Sequence, residues 1–147
     1  MVKYIKGDLF STDRDIIAHG CNCQGAMGSG VANIVRQRYS KAYHAYLDLY
    51  DDEGLHLGDV QFVLQSDGKY IANCMTQDRY LPRTRCHADY NAIGICMQTL
   101  KEFAQKKGLS IAIPKIGAGL AGGDWNLIEK ILNEVFSDYD VTVYHLD

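Results

Sequence analysis

The stretch AHGCNCQGAMGSGVA, residues 18–32, decides the fold that we predict for this chain. It holds four glycines, two cysteines, a histidine and an asparagine. An apolar run, DIIA, leads into it, and a helix-like run, VANIVRQRY, follows it. The order is therefore a buried strand, a glycine-rich loop and a helix. A metal site, a redox pair and a phosphate-binding loop are the three hypotheses that this composition raises.

A second stretch repeats the same design. SIAIP, residues 110–114, reads as a buried strand and runs into KIGAGLAGGDW. Ligands of open α/β sheets lie at the carboxyl ends of the strands, glycine lets backbone N–H groups approach an anion, and helix N-termini carry partial positive charge. Two such loops predict a diphosphate site, although either loop alone could be a tight connection. Neither matches the P-loop or the GxGxxG pattern.

The remaining segments predict an α/β fold. Strands are expected at residues 2–5, 15–20, 60–65, 70–76, 110–114 and 141–146, with Asp67-Gly68 as a hairpin signal. Helical periodicity covers residues 30–50 and 89–107, and a further helix follows Asp124. Because strands and helices mostly alternate, we predict one domain, residues 1–147, with a mixed sheet between helices on both faces.

Composition narrows the class of protein. The net charge of −3 gives no basic surplus, so we expect no stable nucleic-acid binding. No apolar run approaches the roughly 18 residues of a membrane span, and the N-terminus does not read as a signal peptide. The five cysteines are odd in number and scattered, which favours reduced thiols. These features predict a cytoplasmic protein, which we expect to be a monomer.

Three motifs in order, KGDLF, DIIAHGCNCQGAMGSGVA and IPKIGAGLAGG, resemble the ligand motifs of the macrodomain family, which binds ADP-ribose. The resemblance implies a three-layer α/β/α fold and a small-molecule ligand, with no metal and no cofactor. It places Asp8 at the adenine amino group, with Leu9 beside it, and Asn22 at the distal ribose. It assigns the diphosphate to backbone amides of Gly28, Ser29, Gly30, Val31, Ile116, Gly117, Ala118, Gly119 and Leu120.

Within the family, the His-x-Cys-Asn-Cys form of the first motif is similar to ADP-ribose 1''-phosphate phosphatases of the yeast type and their phage and bacterial relatives. Another branch removes ADP-ribose from macromolecules with a lysine and an aspartate, and this chain has Gln77 and Ala121 near those positions. The resemblance therefore implies hydrolysis of ADP-ribose 1''-phosphate. An ADP-ribosyl hydrolase and a non-catalytic ADP-ribose reader are the alternatives.

The predicted catalytic residues are His19, Asn22 and Asp124. Histidine has a pKa near neutrality and could protonate the leaving oxygen or activate water. The alternative is that His19 only forms a hydrogen bond with a ribose hydroxyl or neighbouring backbone. Asn22 could position water or hold its own loop together. Asp124 precedes a helix, so an N-cap is favoured over an acid-base role.

Other chemistry-bearing residues have weaker patterns. Cys21, Cys23 and His19 do not have the usual zinc spacing, and the adjacent pair Cys86-His87 would complete a site awkwardly, so packing is favoured for the cysteines. Aromatic residues that could stack on adenine or line a cleft are Tyr80, Tyr90 and Trp125. Arginines that could contact a terminal phosphate, or simply lie in a solvated loop, are Arg79, Arg83 and Arg85.

Overall fold

The computed structural model describes residues 1–81 and 86–147. The strands of these residues are β1 (Val2–Lys6), β2 (Ile16–Asn22), β3 (Val60–Leu64), β4 (Tyr70–Gln77), β5 (Ile111–Ile113) and β6 (Val141–His145). The helices are α1 (Gly30–Arg38), α2 (Ser40–Asp52), α3 (Tyr90–Lys107) and α4 (Trp125–Val135), with a short 3-10 helix at Leu9–Ser11. We call residues 23–29 the first loop and residues 114–124 the second loop.

The six strands form one mixed sheet in the order β1-β6-β5-β2-β4-β3. All neighbours are parallel except β3 and β4, which form the antiparallel hairpin expected from Asp67-Gly68. Gly68 has φ +89°, a conformation that glycine adopts without steric cost. Since β2 lies between β5 and β4, its carboxyl end stands beside that of β5. The two glycine-rich loops therefore leave the sheet from neighbouring strands.

Helices cover both faces of the sheet, as the alternation of elements predicted. One buried apolar cluster joins the sheet to α3 and α4, and includes Ile93, Leu100 and Leu132. The other joins it to α1 and α2, and includes Val35 and Tyr46. Consecutive β2 side chains enter opposite clusters, because strand side chains alternate between faces. The fold is thus the three-layer α/β/α arrangement.

The helix predicted at residues 30–50 is two helices, so that prediction was wrong in one respect. The break falls at Tyr39, whose φ of −127° and ψ of 64° lie outside the helical region. Its hydroxyl donates to Asp67 Oδ2 at 3.1 Å, and its ring lies 6.5 Å from that of Phe10. These distant contacts hold Tyr39 in place, whereas the apolar periodicity continues through the break. As a result α1 is short and begins at the first loop.

The limits of α3 agree with the signals in the sequence. Asp89 Oδ1 accepts a hydrogen bond from Ala92 N at 2.9 Å, which is an N-cap. Gly108 follows the helix with φ +69°, and Leu109 N donates to Ala104 O at 2.9 Å. Within the residues that the structure describes, no helix is long and apolar enough to span a membrane.

Candidate functional site

A cleft of about 430 Å³ lies above the carboxyl ends of β2 and β5. The first loop with the start of α1 forms one wall, and the second loop forms the other. The described residues that line it are Gly20, Cys21, Asn22, Ala26, Gly28, Ser29, Gly30, Val31, Ala32, Gln77, Tyr80, Pro114, Lys115, Ile116, Gly117, Gly119, Leu120 and Ala121. Nine of the predicted ligand residues are among them: Asn22, Gly28, Ser29, Gly30, Val31, Ile116, Gly117, Gly119 and Leu120.

The N-terminus of α1 opens into this cleft without a side-chain cap. Ser29 is the N-cap residue, with φ −152° and ψ 161°, but its hydroxyl makes no capping hydrogen bond to the described residues. The first backbone N–H groups of a helix have no partner inside the helix. Asn33 N donates to Ser29 O at 3.3 Å, and the three residues before it, Gly30, Val31 and Ala32, line the cleft. These amides and the helix dipole favour an anion.

Two glycines of the cleft have no packing reason to be glycine. A Cβ placed at Gly28 or Gly119 would meet nothing within 4 Å, and neither residue has positive φ. Gly117 differs, since its φ is +78° and a Cβ there would lie 2.9 Å from Ile93 Cδ1. Gly123 also differs, because its Cβ would lie 2.5 Å from Gly117 O. Packing and backbone conformation thus explain Gly117 and Gly123, whereas Gly28 and Gly119 leave open space at the cleft.

The two walls come close together where α1 begins. A Cβ at Gly30 would lie 3.4 Å from Leu120 Cδ1, and Gly30 has φ +64°. Leu120 is 50% exposed. The start of α1 and the second loop therefore approach each other closely at Gly30 and Leu120.

Asn22 lines the cleft and also holds the first loop together. Its Oδ1 accepts from Gln24 N at 2.9 Å, Ala26 N at 3.3 Å and the Tyr46 hydroxyl at 3.0 Å. Its Nδ2 donates to Ala26 O at 2.8 Å. A side-chain amide nitrogen has two hydrogens, so one remains for a ligand. Asn22 can therefore both stabilise the first loop and offer an N–H to a ligand. Its hydrogen bonds within the loop fix the orientation of the side-chain amide at the cleft.

The structure does not bring His19 to the cleft, which corrects the catalytic role expected for it. The side chain is fully buried and Nε2 lies 2.7 Å from Asn73 Oδ1. Asn73 Nδ2 donates to Ala42 O and Gln61 Oε1, so Asn73 Oδ1 is the acceptor and His19 Nε2 carries the proton. Burial lowers the pKa of His19 to about 4, outweighing the hydrogen bond to Asn73. A neutral imidazole in the core cannot exchange protons with a ligand in the cleft.

Asp124 is a helix cap, so the structure does not support its predicted acid-base role. Its Oδ1 accepts from Asn126 N at 2.9 Å at the start of α4. Its own N–H donates to the Tyr90 hydroxyl at 3.0 Å, which gives Tyr90 a structural contact. Asp124 is not among the residues that line the cleft. The favoured interpretation from sequence, an N-cap, is confirmed.

Three predicted binding residues lie outside the lining of the cleft. Asp8 caps the 3-10 helix, where its Oδ1 accepts from Phe10 N at 3.0 Å. Leu9 is 6% exposed and packs in the cluster under α1 and α2. Ala118 N donates to Lys115 O at 3.2 Å within the second loop. The adenine role of Asp8 and the ligand roles of Leu9 and Ala118 stay predictions.

Lining residues outside the assigned ligand set include Gln77, Tyr80 and Lys115. Tyr80 was named from sequence as a residue that could stack on adenine or line a cleft, and its N–H donates to Gln24 Oε1 at 3.2 Å. Of the described lining residues Lys115 alone carries a charge, and its Nζ lies 5.9 Å from the centre of the Trp125 ring. Lys115 lies in the second motif, whereas the position of Gln77 opposite Asn22 depends on the pairing of β4 with β2.

The arginines and cysteines complete the set of predicted residues. Arg79 is exposed and pairs with Asp78 at 3.8 Å, while Arg83 and Arg85 lie outside the described residues. Burial raises the pKa of the Cys21 thiol, which packs near His19. Across residues 1–81 and 86–147, no group of three histidine, cysteine, aspartate or glutamate side chains could hold a metal ion.

An uncapped helix start beside a second loop of amides, both at the ends of parallel strands, defines a nucleotide-type anion cleft. The chain belongs to the Macro domain family, whose model matches residues 18–132. The fold and family resemblance expected from the three motifs are therefore confirmed.

The sequences of known proteins align with nearly the whole length of this chain. It is 34% identical to an uncharacterised 17.5 kDa protein of Enterobacteria phage T4, covering 97% of this chain and 95% of that protein. It is 32% identical to ADP-ribose 1''-phosphate phosphatase of Lodderomyces elongisporus, with 99% of each covered. It is 29% identical to DNA ADP-ribosyl glycohydrolase of Mycobacterium tuberculosis, covering 98% of this chain and 42% of that protein.

A solved structure of a Bacteroides thetaiotaomicron protein of unknown function superposes with a TM-score of 0.88 at 31% identity. The match covers 98% of this chain and 97% of the other. The two proteins therefore share this fold over nearly the whole length of both chains.

Proposed function

We propose that residues 1–147 form a macrodomain that binds ADP-ribose and hydrolyses ADP-ribose 1''-phosphate to ADP-ribose and phosphate. One observation carries the proposal: two glycine-rich loops face each other across a cleft, and Gly28 and Gly119 have no packing reason to be glycine. The similarity to the ADP-ribose 1''-phosphate phosphatase of Lodderomyces elongisporus supports the phosphatase over the other family activities.

The diphosphate would lie between the two walls. Amides at the start of α1 approach it from one side, and amides of the second loop approach it from the other. Gly28 and Gly119 leave room for its oxygens at van der Waals distance from the backbone. Lys115 adds a single positive charge at the β5 side, so most of the attraction comes from oriented backbone dipoles.

Hydrolysis would take place at the β2 and β4 side of the cleft, where Asn22 and Gln77 face each other. The oxygen of water forms a new bond to phosphorus, the bond between phosphorus and the 1''-oxygen breaks, and that oxygen gains a proton. The free Asn22 N–H and the Gln77 amide can hold oxygens of the phosphoryl group or of the ribose. Because Gln77 replaces lysine, this chain offers no amine at that position for a covalent route.

A panel of three substrates tests the proposal. Purified protein is incubated with ADP-ribose 1''-phosphate, an ADP-ribosylated protein and an ADP-ribosylated oligonucleotide, and each product is quantified. We expect phosphate release from the first and no ADP-ribose release from the other two. Release of ADP-ribose from a macromolecule would favour the hydrolase alternative, and tight ADP-ribose binding with no turnover would favour the reader.

The matched control for this panel is Gly119→Glu. The open space around a Cβ at residue 119 would accept the longer side chain, while its carboxylate would repel a diphosphate. Phosphate release that persists in this variant would indicate a contaminating phosphatase. The location and oligomeric state that we propose, cytoplasmic and monomeric, are tested by cell fractionation and by light scattering of the purified protein.

A further inference from the structure

Thr76 carries a buried hydroxyl that forms no hydrogen bond. The residue is 1% exposed and lies near the end of β4, one residue before Gln77 of the cleft. Its Oγ1 is the one buried side-chain oxygen or nitrogen without a partner in the part of the chain that the structure describes. Its backbone is engaged normally, since Thr76 O accepts from Asp89 N at 2.9 Å. The hydroxyl alone therefore needs an explanation.

Packing does not explain a threonine at this position. Valine has the same shape as threonine, is well suited to a strand, and would leave no polar atom unsatisfied. Burying a hydroxyl without a partner lowers the stability of the free protein relative to that alternative. Residues that are unfavourable for the free fold are found where a site needs them for a bound ligand.

The hydroxyl lies beside Gly20, which lines the cleft. A Cβ at Gly20 would lie 2.6 Å from Thr76 Oγ1, so any side chain at residue 20 would collide with the hydroxyl. The same Cβ would lie 3.4 Å from Ile116 Cγ1, and Ile116 also lines the cleft. Glycine at residue 20 therefore leaves no side chain of that residue between the Thr76 hydroxyl and the cleft.

We infer that Thr76 is a ligand-positioning residue whose hydroxyl binds an oxygen at the floor of the occupied cleft, either of the distal ribose and its substituent or of a water that they hold. In the complex, the hydroxyl gains the partner that it lacks in the free protein. Thr76 precedes Gln77, which pairs with Asn22, so the contact lies at the same end of β4 as the proposed reaction. The inference rests on the proposed function, because it needs ADP-ribose in this cleft.

Two substitutions at Thr76 test this role. Thr76→Val removes the hydroxyl and keeps the shape, while Thr76→Ser keeps the hydroxyl and serves as the matched control. For each we would measure the urea midpoint without ligand and the Kd for ADP-ribose by calorimetry. We expect Thr76→Val to unfold at an equal or higher urea concentration, yet to bind ADP-ribose about fivefold to tenfold more weakly. Thr76→Ser should bind within about twofold of the wild type.

Opposite changes in stability and affinity are the signature of a ligand role, since a structural hydroxyl would change both in the same direction. Thr76→Val with unchanged Kd and unchanged phosphate release would overturn the inference, and so would loss of stability together with affinity. Both results would leave the proposed function intact. If the wild type itself binds no ADP-ribose, the proposed function fails, and the inference fails with it. A structure with ADP-ribose should show an oxygen about 2.7–3.0 Å from Thr76 Oγ1.

Discussion

The starts of α1 and α4 have the same design and opposite chemistry. Each follows a buried parallel strand and a glycine-rich loop. At α4, Asp124 accepts a hydrogen bond from Asn126 N and closes the helix end with a carboxylate. At α1, Ser29 makes no capping bond to the described residues, and the first residues of the helix line the cleft. The two strand, loop and helix segments therefore contribute differently to the cleft. The first contributes the N-terminus of α1, and the second contributes the amides of its loop.

The same comparison explains the glycines. In the second unit, Gly117 and Gly123 let the loop pack tightly against Ile93 and against itself. Gly28 of the first unit and Gly119 of the second lie on the cleft side, where nothing in the free protein needs the space. A glycine-rich motif therefore mixes glycines that the packing requires with glycines that leave open space at the cleft. Substitutions can separate the two.

Capping the N-terminus of α1 with a carboxylate should have the largest effect on the affinity for ADP-ribose. Ser29→Asp would place a carboxylate at the start of α1, where it caps the helix and repels the diphosphate. We expect the Kd for ADP-ribose to rise about a hundredfold or more, since charges about 4 Å apart near a surface interact by several kcal/mol. The free energy of unfolding should stay equal or increase. Calorimetry and urea unfolding measure the two quantities, and Ser29→Ala is the uncharged control. Wild-type affinity in Ser29→Asp would show that the open end of α1 does not bind the anion.

The buried His19 side chain gives a test of the core beneath β2 that is independent of the cleft. Its pKa is lowered to about 4 in the folded protein, against about 6.5 when unfolded. The unfolded chain therefore binds more protons between these values, and stability is lost as pH falls from about 6.5 to 4. This one group predicts a loss of about 3 kcal/mol over that interval.

Urea unfolding at several pH values measures that slope. His19→Gln should have a shallower dependence on pH, whatever its stability at neutral pH. A wild-type curve with the same slope as the variant would contradict the buried neutral imidazole. Phosphate release by the variant under conditions where it is folded would confirm that His19 is not catalytic.

Alanine substitutions at Gly119 and Gly117 test which glycines of the second loop lie against the ligand. Gly119→Ala should leave the urea midpoint nearly unchanged, because the added methyl group meets no protein atom. It should weaken ADP-ribose binding by about tenfold. The added methyl group would occupy the space next to the backbone and keep a phosphate oxygen from reaching van der Waals contact with it. Gly117→Ala should instead lower stability, owing to its positive φ and the contact with Ile93. If Gly119→Ala bound ADP-ribose normally, the ligand would not approach that loop.

Removing the cap of α4 should have the smallest effect. Asp124→Ala should lower the free energy of unfolding by about 1 kcal/mol, as loss of an N-cap does. Affinity for ADP-ribose and phosphate release should remain close to wild type, because Asp124 does not line the cleft. Chemical denaturation and the phosphate assay check the two statements. A loss of turnover with normal binding would restore the acid-base role that the sequence suggested as an alternative.

The order of elements and the position of the cleft could be predicted from local signals. Asp67-Gly68 predicts the hairpin and Gly108 predicts the end of α3, because turn and cap preferences depend on a few neighbouring residues. The glycine-rich segments after two buried strands predict where a ligand would lie. Nine of the assigned ligand residues do line the cleft.

The sequence by itself thus determined the strand, loop and helix order, the family motifs and the candidate amides, because each depends on short-range conformational preference. Only the tertiary structure decided which polar side chains face the ligand. His19 is held in the core by Asn73, 54 residues away, and the buried hydroxyl of Thr76 lies beside Gly20 of the cleft. Tyr39 interrupts a continuous helical pattern through contacts with Asp67 and Phe10. Burial and hydrogen-bond partners arise from packing between distant segments, and no local pattern encodes them.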